Sequence, residues 1–449
     1  MRLIFSLLGL LATPGLAVAS DLVDVYDLAV QNDTQLAAQG HALDAALQSM
    51  PIARSSLLPQ LSGSGSYSFD NNKTTSTVTF DQTTGQEIPP TSFTRTSYAE
   101  PYSYGLNLNQ ILFDREAWVR LKQSDDRAAS ARADYAAAQQ DLVLRVSQAY
   151  FDVLAAQDSL RFSKAENEAV SRQLEQSRQR FDVGLAAITD VQEAQARYDL
   201  TVANALQAEQ DLATARQALA QIIRQRELPL ARLQDEIPLP KPDPADADAW
   251  VDAANEGNLT LLSARIQSEI AHKDIKISKS GHYPTLNLQG TKRYSQSGGY
   301  NDSETDSDSV SLNLNVPIFS GLGVRADVRR ASSVYEQRLS ELEGTERQVE
   351  RDTRVAYQGV ITGSARVKAL KQAVVSNQTA YEASDVGLQV GTRTNVDVLD
   401  AQQQLYSAQR DYARARYDYL ISVLQLKAAA GRLVENDLVE INRLLIDEN

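Results

Sequence analysis

The sequence predicts a mixed α and β chain, built from long α-helical hairpins and four β-strands. Three observations carry that prediction. Stretches 114–183 and 321–390 each run about 70 residues without a proline, and helices of that length would span on the order of 100 Å, more than a globular domain needs. Between the helical stretches, short segments alternate apolar and polar residues with the period of a strand. The whole pattern also occurs twice. The heptad series Val191, Tyr198, Ala205, Leu212, Leu219 returns 207 positions on as Val398, Leu405, Tyr412, Tyr419, Leu426.

Taken in chain order, Met1-Arg2, the apolar run Leu3 to Leu11 and the small residues Ala17-Val18-Ala19 have the layout of a secretory signal peptide, residues 1–19. Beyond it no stretch of about 18 apolar residues exists, so no transmembrane helix is available, and membrane entry would require a β-barrel. The first repeat is expected over 20–237 and the second over 249–449. A stiff proline-rich linker, 238–248, joins them through Pro238-Leu239-Pro240-Lys241-Pro242-Asp243-Pro244. Residues 22–56 and 249–280 read as helices. Strands are expected at about 61–80, 93–113, 285–297 and 308–319, the clearest alternation being Val310, Leu312, Leu314, Val316, Ile318. Such strands suit a transmembrane barrel, or equally a soluble sandwich with one wet face. Leu142, Val146, Ala149 and Val153 place an apolar stripe on the first long helix. Sustained heptads imply packing against neighbouring helices as a coiled coil. Gly184 and Gly391 each close a long helix at the tip of a hairpin.

Composition chiefly excludes. The chain has no cysteine, which removes disulfides, thiolate metal sites, cysteine nucleophiles and cysteine-borne lipid anchors. Three histidines give little scope for a metal centre, and no cofactor is implied. A net charge of −14 offers no cationic field for nucleic acid. Four strands cannot close a membrane barrel, since the smallest have about eight. If these strands enter lipid, several chains must pool them.

Several stretches resemble the TolC family of outer-membrane channels, and the resemblance covers nearly the whole chain after the signal peptide. They are Arg54-Ser55-Ser56-Leu57-Leu58-Pro59-Gln60-Leu61, Ala149-Tyr150-Phe151-Asp152, Arg180-Phe181-Asp182-Val183-Gly184 and Gly281-His282-Tyr283-Pro284. The most specific is Val390-Gly391-Thr392-Arg393-Thr394-Asn395-Val396-Asp397-Val398-Leu399-Asp400-Ala401. The resemblance implies a homotrimer with a 12-stranded barrel in outer-membrane lipid, continued by an α-helical barrel across the periplasm. It implies a passive duct for type I secretion and tripartite efflux, opened by an inner-membrane transporter and a periplasmic adaptor. A periplasmic coiled-coil scaffold or adaptor would need the helices but leaves the alternating strands without a use. A secreted carboxylate enzyme would want a compact fold.

Asp397 and Asp400, three apart, share one helix face. Spacing alone fits a solvated face or an acid/base pair, whereas the resemblance implies a ring of carboxylates around the pore entrance that favours cations. By the same resemblance Thr189 and Asp190 match a gating pair, with Arg393 as their partner on the other hairpin. The competing expectation for Arg393 is pairing with Asp397 one turn on, worth a few tenths of a kcal/mol. The family often has tyrosine where this chain has Leu388, which cannot donate a hydrogen bond to Asp190.

Overall fold

In the computed structural model the described residues are 19–446, apart from 82, 84, 227, 300 and 301. The expected signal peptide, save its last residue, lies outside the described residues. The elements run α1 (Leu22–Asn32), α2 (Thr34–Leu47), α3 (Ser49–Ser55), β1 (Gln60–Tyr67), β2 (Asp70–Phe80), β3 (Glu87–Ala99) and β4 (Tyr102–Phe113). The first long hairpin follows as α4 (Arg115–Asp182) and α5 (Ile188–Ile223), then β5 (Arg232–Leu233), α6 (Ala247–Gly257) and α7 (Leu259–Ser280). After β6 (Thr285–Gln296) and β7 (Glu304–Asn315) come the second hairpin, α8 (Gly323–Gln389) and α9 (Asn395–Ala429), then α10 (Glu435–Asn442) and β8 (Leu445–Ile446).

These elements form two compact units. One holds the described residues up to Leu43, with Ala131–Ala264 and the chain from Glu341 on; the other holds Asp44–Ser130 and Arg265–Ser340. Each unit draws on both sequence repeats.

Local chemistry divides elements that the sequence reads as continuous. The helical stretch 22–56 breaks at Asp33, whose backbone is extended (ψ 121°) while its N–H still donates to Ala29 O at 2.8 Å. Its carboxylate then accepts from Leu36 N–H at 2.7 Å, starting α2. The expected strand 61–80 is interrupted at Ser68-Phe69, and the one at 93–113 begins earlier and is interrupted at Glu100-Pro101. Pro101 has no N–H to give a ladder, though its carbonyl accepts from Ser68 N–H at 3.0 Å. Likewise β7 starts at Glu304 and stops at Asn315, two residues before Pro317.

In the second unit the strands form an antiparallel sheet ordered β1-β4-β6-β7, with β2 and β3 paired separately. Register aligns like with like: Leu61 faces Leu108, Leu312 faces Leu288, and Leu314 faces Leu286. Side chains alternate across a pleated strand, so one face carries these leucines and the other carries Ser62, Asn107, Gln289 and Ser311. The apolar face ends in Tyr104 stacked on Tyr294 at 5.0 Å, beside Lys292, which bonds Asp308 at 3.0 Å. Nothing in the described residues covers that face: Val310 is 81% and Leu314 65% exposed. Among the described residues the outer sides of β1 and β7 have no strand partner.

The helical unit buries a conventional core. Leu142, Val146 and Tyr150 of α4 are fully buried with Tyr419 and Leu424 of α9, and Phe151 stacks on Tyr417 at 5.8 Å. Three tyrosine hydroxyls in this core find partners: Tyr150 donates to Ala231 O at 2.9 Å, Tyr417 to Asp158 at 2.8 Å and Tyr419 to Pro240 O at 2.8 Å. Burial pushes the Tyr419 hydroxyl up to about 12. Buried Arg416 donates to Gln234 O at 2.9 Å and Asp235 O at 3.0 Å. The segment leading into the proline-rich stretch is thus fastened to α9. Among the described residues, no helix is long and apolar enough to cross a membrane.

Asp33 is buried and meets Arg145 of α4 at 2.9 Å. The hydrogen bond from the Arg145 guanidinium holds its carboxyl below the usual range. A depressed folded pKa contributes stability above the ordinary value of about 3.9, lost as the pH falls through the folded value. Asp33→Asn should therefore destabilise by about 1–3 kcal/mol at neutral pH and flatten the acid limb of stability against pH. Denaturant unfolding of the protein at stepped pH would read both effects.

Candidate functional site: the tips of the helical hairpins

Both hairpins turn on glycine. Gly184 and Gly391 have φ +78° and +81°, a conformation that only glycine adopts without a Cβ penalty. The following amides reach back five residues, Leu185 N–H to Arg180 O at 2.7 Å and Thr392 N–H to Gly387 O at 2.8 Å, which satisfies the last carbonyls of α4 and α8.

Each returning helix then starts on the same device. Asp397 lies in a capping box with Thr394: its carboxylate accepts from Thr394 N–H at 2.8 Å and from the hydroxyl at 2.9 Å, while Asp397 N–H donates to that hydroxyl at 3.2 Å. Asp190 is its counterpart in the first repeat, 207 positions earlier. Its carboxylate accepts from Ala187 N–H at 3.2 Å, and Ala187 has no side-chain oxygen to reciprocate. The backbone and hydroxyl bonds from Thr394 hold the Asp397 carboxyl below the usual carboxylate range.

Asp400 has a partner that the sequence reading missed. Arg197 of α5 reaches it at 2.5 Å and also bonds Gln403. Asp400 is half-exposed, so the pair adds little stability, but its charge is compensated within the chain. Arg393 faces Asp397 at 3.8 Å, the competing expectation for this residue. Among the described residues no ion pair joins Asp190 to Arg393 within one chain. A Cβ added at Gly387 would lie 2.6 Å from the Arg393 side chain, so glycine there admits the arginine stem. Thr189 is exposed, and Leu388 is buried.

Two further residues escaped the sequence reading. Gln173 of α4 and Asn395, the first residue of α9, are both buried and joined at 2.6 Å. Asn395 also donates to Asp190 O at 3.2 Å. Asparagine beside a helix start is ordinary, so nothing in the pattern marks it. The shared role of Asp190 and Asp397, by contrast, could have been found from the repeat offset.

A bare apolar sheet with open edges, combined with long heptad hairpins, defines an outer-membrane channel of mixed α and β build. The sequence pattern of the family described as outer membrane efflux protein matches residues 25–223 and 250–432. Outer membrane protein TolC of Vibrio cholerae is 37% identical, over 94% of this chain and 93% of that protein. Proteases secretion protein PrtF of Dickeya chrysanthemi is 31% identical, over 95% and 91%. In fold, the Campylobacter jejuni CmeC outer membrane channel superposes with a TM-score of 0.76 at 18% identity, over 95% and 90%. The chain belongs to the outer membrane efflux protein family and is a protein of the Gram-negative outer membrane.

The Thr394 cap should be measurable on its own. Thr394→Ala is expected to cost the start of α9 about 1 kcal/mol. Amide exchange at Asn395–Val398 should accelerate while that of the core around Tyr419 stays unchanged.

Proposed function

We propose that three copies of this chain close one barrel and one helical duct, gated at the hairpin tips. The sheet is the observation that supports it: three copies of 4 strands give 12, and joining β7 of one copy to β1 of the next satisfies both open edges. The apolar row of Leu61, Leu106, Leu312 and Leu314 would then face lipid and the polar row the lumen.

The protein is a passive outer-membrane duct for efflux and type I secretion. Its role is transport, and the work of export falls to partners, an inner-membrane transporter and a periplasmic adaptor. Recruiting these opens the tips. In the closed state Arg393, half-exposed and only loosely engaged by Asp397, reaches Thr189 and Asp190 of a neighbouring copy through a charge-assisted bond. Asp397 and Asp400 ring the entrance. Because Arg197 offsets Asp400, Asp397 supplies most of the cation preference.

Membrane fractionation comes first: a heat-modifiable oligomer in the outer membrane is expected, and a soluble periplasmic species would refute the duct. In planar bilayers Arg393→Ser should raise single-channel conductance, and unchanged conductance counts against the gate. Replacing Asp397 and Asp400 together by Ala should lower cation selectivity, with Asp397→Ala alone doing most of it. Since Thr394 holds the Asp397 carboxyl low, Thr394→Val should move the loss of cation preference on acidification to higher pH. A titration identical to wild type would sink that assignment.

A further inference from the structure

We propose that Asn395, braced by Gln173, is the intrachain clasp that holds the inner end of the α8–α9 hairpin against α4 and α5 when the duct is closed. The inference rests on the tip being the gate. It supplies the fastening that Leu388 cannot make.

The geometry is specific. The Asn395 side-chain carbonyl accepts from Gln173 Nε2 of α4 at 2.6 Å. Its Nδ2 donates to the backbone carbonyl of Asp190, in the first turn of α5, at 3.2 Å. One amide therefore ties three helices, using a donor and an acceptor together. Gln173 and Asn395 are 8% and 6% exposed, and the buried apolar cluster of Val170, Leu174, Ala194 and Leu399 packs alongside. Water is largely kept from the bonds, so they are strong while made and leave unsatisfied polar groups when broken. Moving α9 away from α4 and α5 must break both or rehydrate them. The clasp therefore biases the tip toward closure and still releases once water can enter.

The fastening is local and asymmetric. One heptad further along α9, the side-chain oxygen of buried Gln402 finds no partner among the described residues, so the buried amide tie is not repeated there, although Arg197 holds Asp400 and Gln403 on the exposed side. In the first repeat the position equivalent to Asn395 is Ile188, which is exposed. The second hairpin carries the clasp and the first supplies the groups it grips.

The test is single-channel conductance of the full chain in planar bilayers, with heat-modifiable oligomer on gels as the check of assembly. Asn395→Ala and Gln173→Ala should each shift the closed-to-open ratio by about tenfold, the size expected for one buried hydrogen bond. The double variant should do little more than Asn395→Ala. Asn395→Asp keeps the acceptor for Gln173 and loses the donor to Asp190, so it should fall between wild type and Asn395→Ala. If Asn395→Ala fails to assemble, Gln173→Ala carries the test, since it leaves the start of α9 intact. Wild-type conductance in an assembled variant lacking either amide overturns the clasp. Arg393→Ser, run alongside, separates the two ideas: if it opens the channel while Asn395→Ala does not, the clasp alone fails. If neither does, the tip gate fails with it.

Discussion

Every backbone amide of a strand must find a partner, and two rows of them find no strand partner among the described residues. The sheet β1-β4-β6-β7 satisfies its interior ladders, from Gln60 with Asn109 through Thr285 with Asn315, while the outer sides of β1 and β7 stay open. In lipid an unpaired amide costs several kcal/mol, and β1 alone spans 8 residues. The same sheet exposes a row of leucines and valines that none of the described residues covers. The proposed lateral closure with further copies in a membrane would meet both deficits at once. Much else about the protein follows from that requirement, including the polarity of the opposite face and the tyrosines at the end of the apolar band.

The hairpin tips show how a duplicated element takes on separate duties. Asp190 and Asp397 are the same position in the two repeats and do the same local job, accepting the N–H at the start of a helix. Their surroundings then diverge. Asp397 gains a reciprocating threonine, while the carbonyl of Asp190 becomes a landing point for Asn395. A cap therefore accounts for the aspartates without any function, and the proposed roles in gating and selectivity come in addition to it. Arg197 adds a counter-charge to Asp400, so two carboxylates that look alike in sequence differ in how much charge they present.

Away from the tips the helical unit is held by aromatic residues whose polar ends are satisfied. Tyr150, Tyr417 and Tyr419 fill space and fasten backbone or carboxylate partners in the same stroke. Beside larger buried residues such as Leu212 and Leu405, the small residues Ala194, Thr201 and Ala208 of α5 and Ala408 and Ala415 of α9 are also buried, and small side chains let helices approach closely. The heptads of larger residues were visible in the sequence. This second series of small ones, set three positions along, emerges only once the helices are placed.

The period of each segment, the duplication, the two glycine tips and the alternation of the strands were all determined by the sequence itself. Each depends on neighbours within a turn or a pleat, and local spacing records such things. Breaks within elements were less legible: Asp33 ends one helix and starts another through a side chain that could equally sit mid-helix. What only the tertiary structure decided is which distant groups meet. Asp33 with Arg145, Arg197 with Asp400 and Gln173 with Asn395 are 112, 203 and 222 residues apart. No periodicity encodes such a pairing, because it is set by how helices already formed lie against one another.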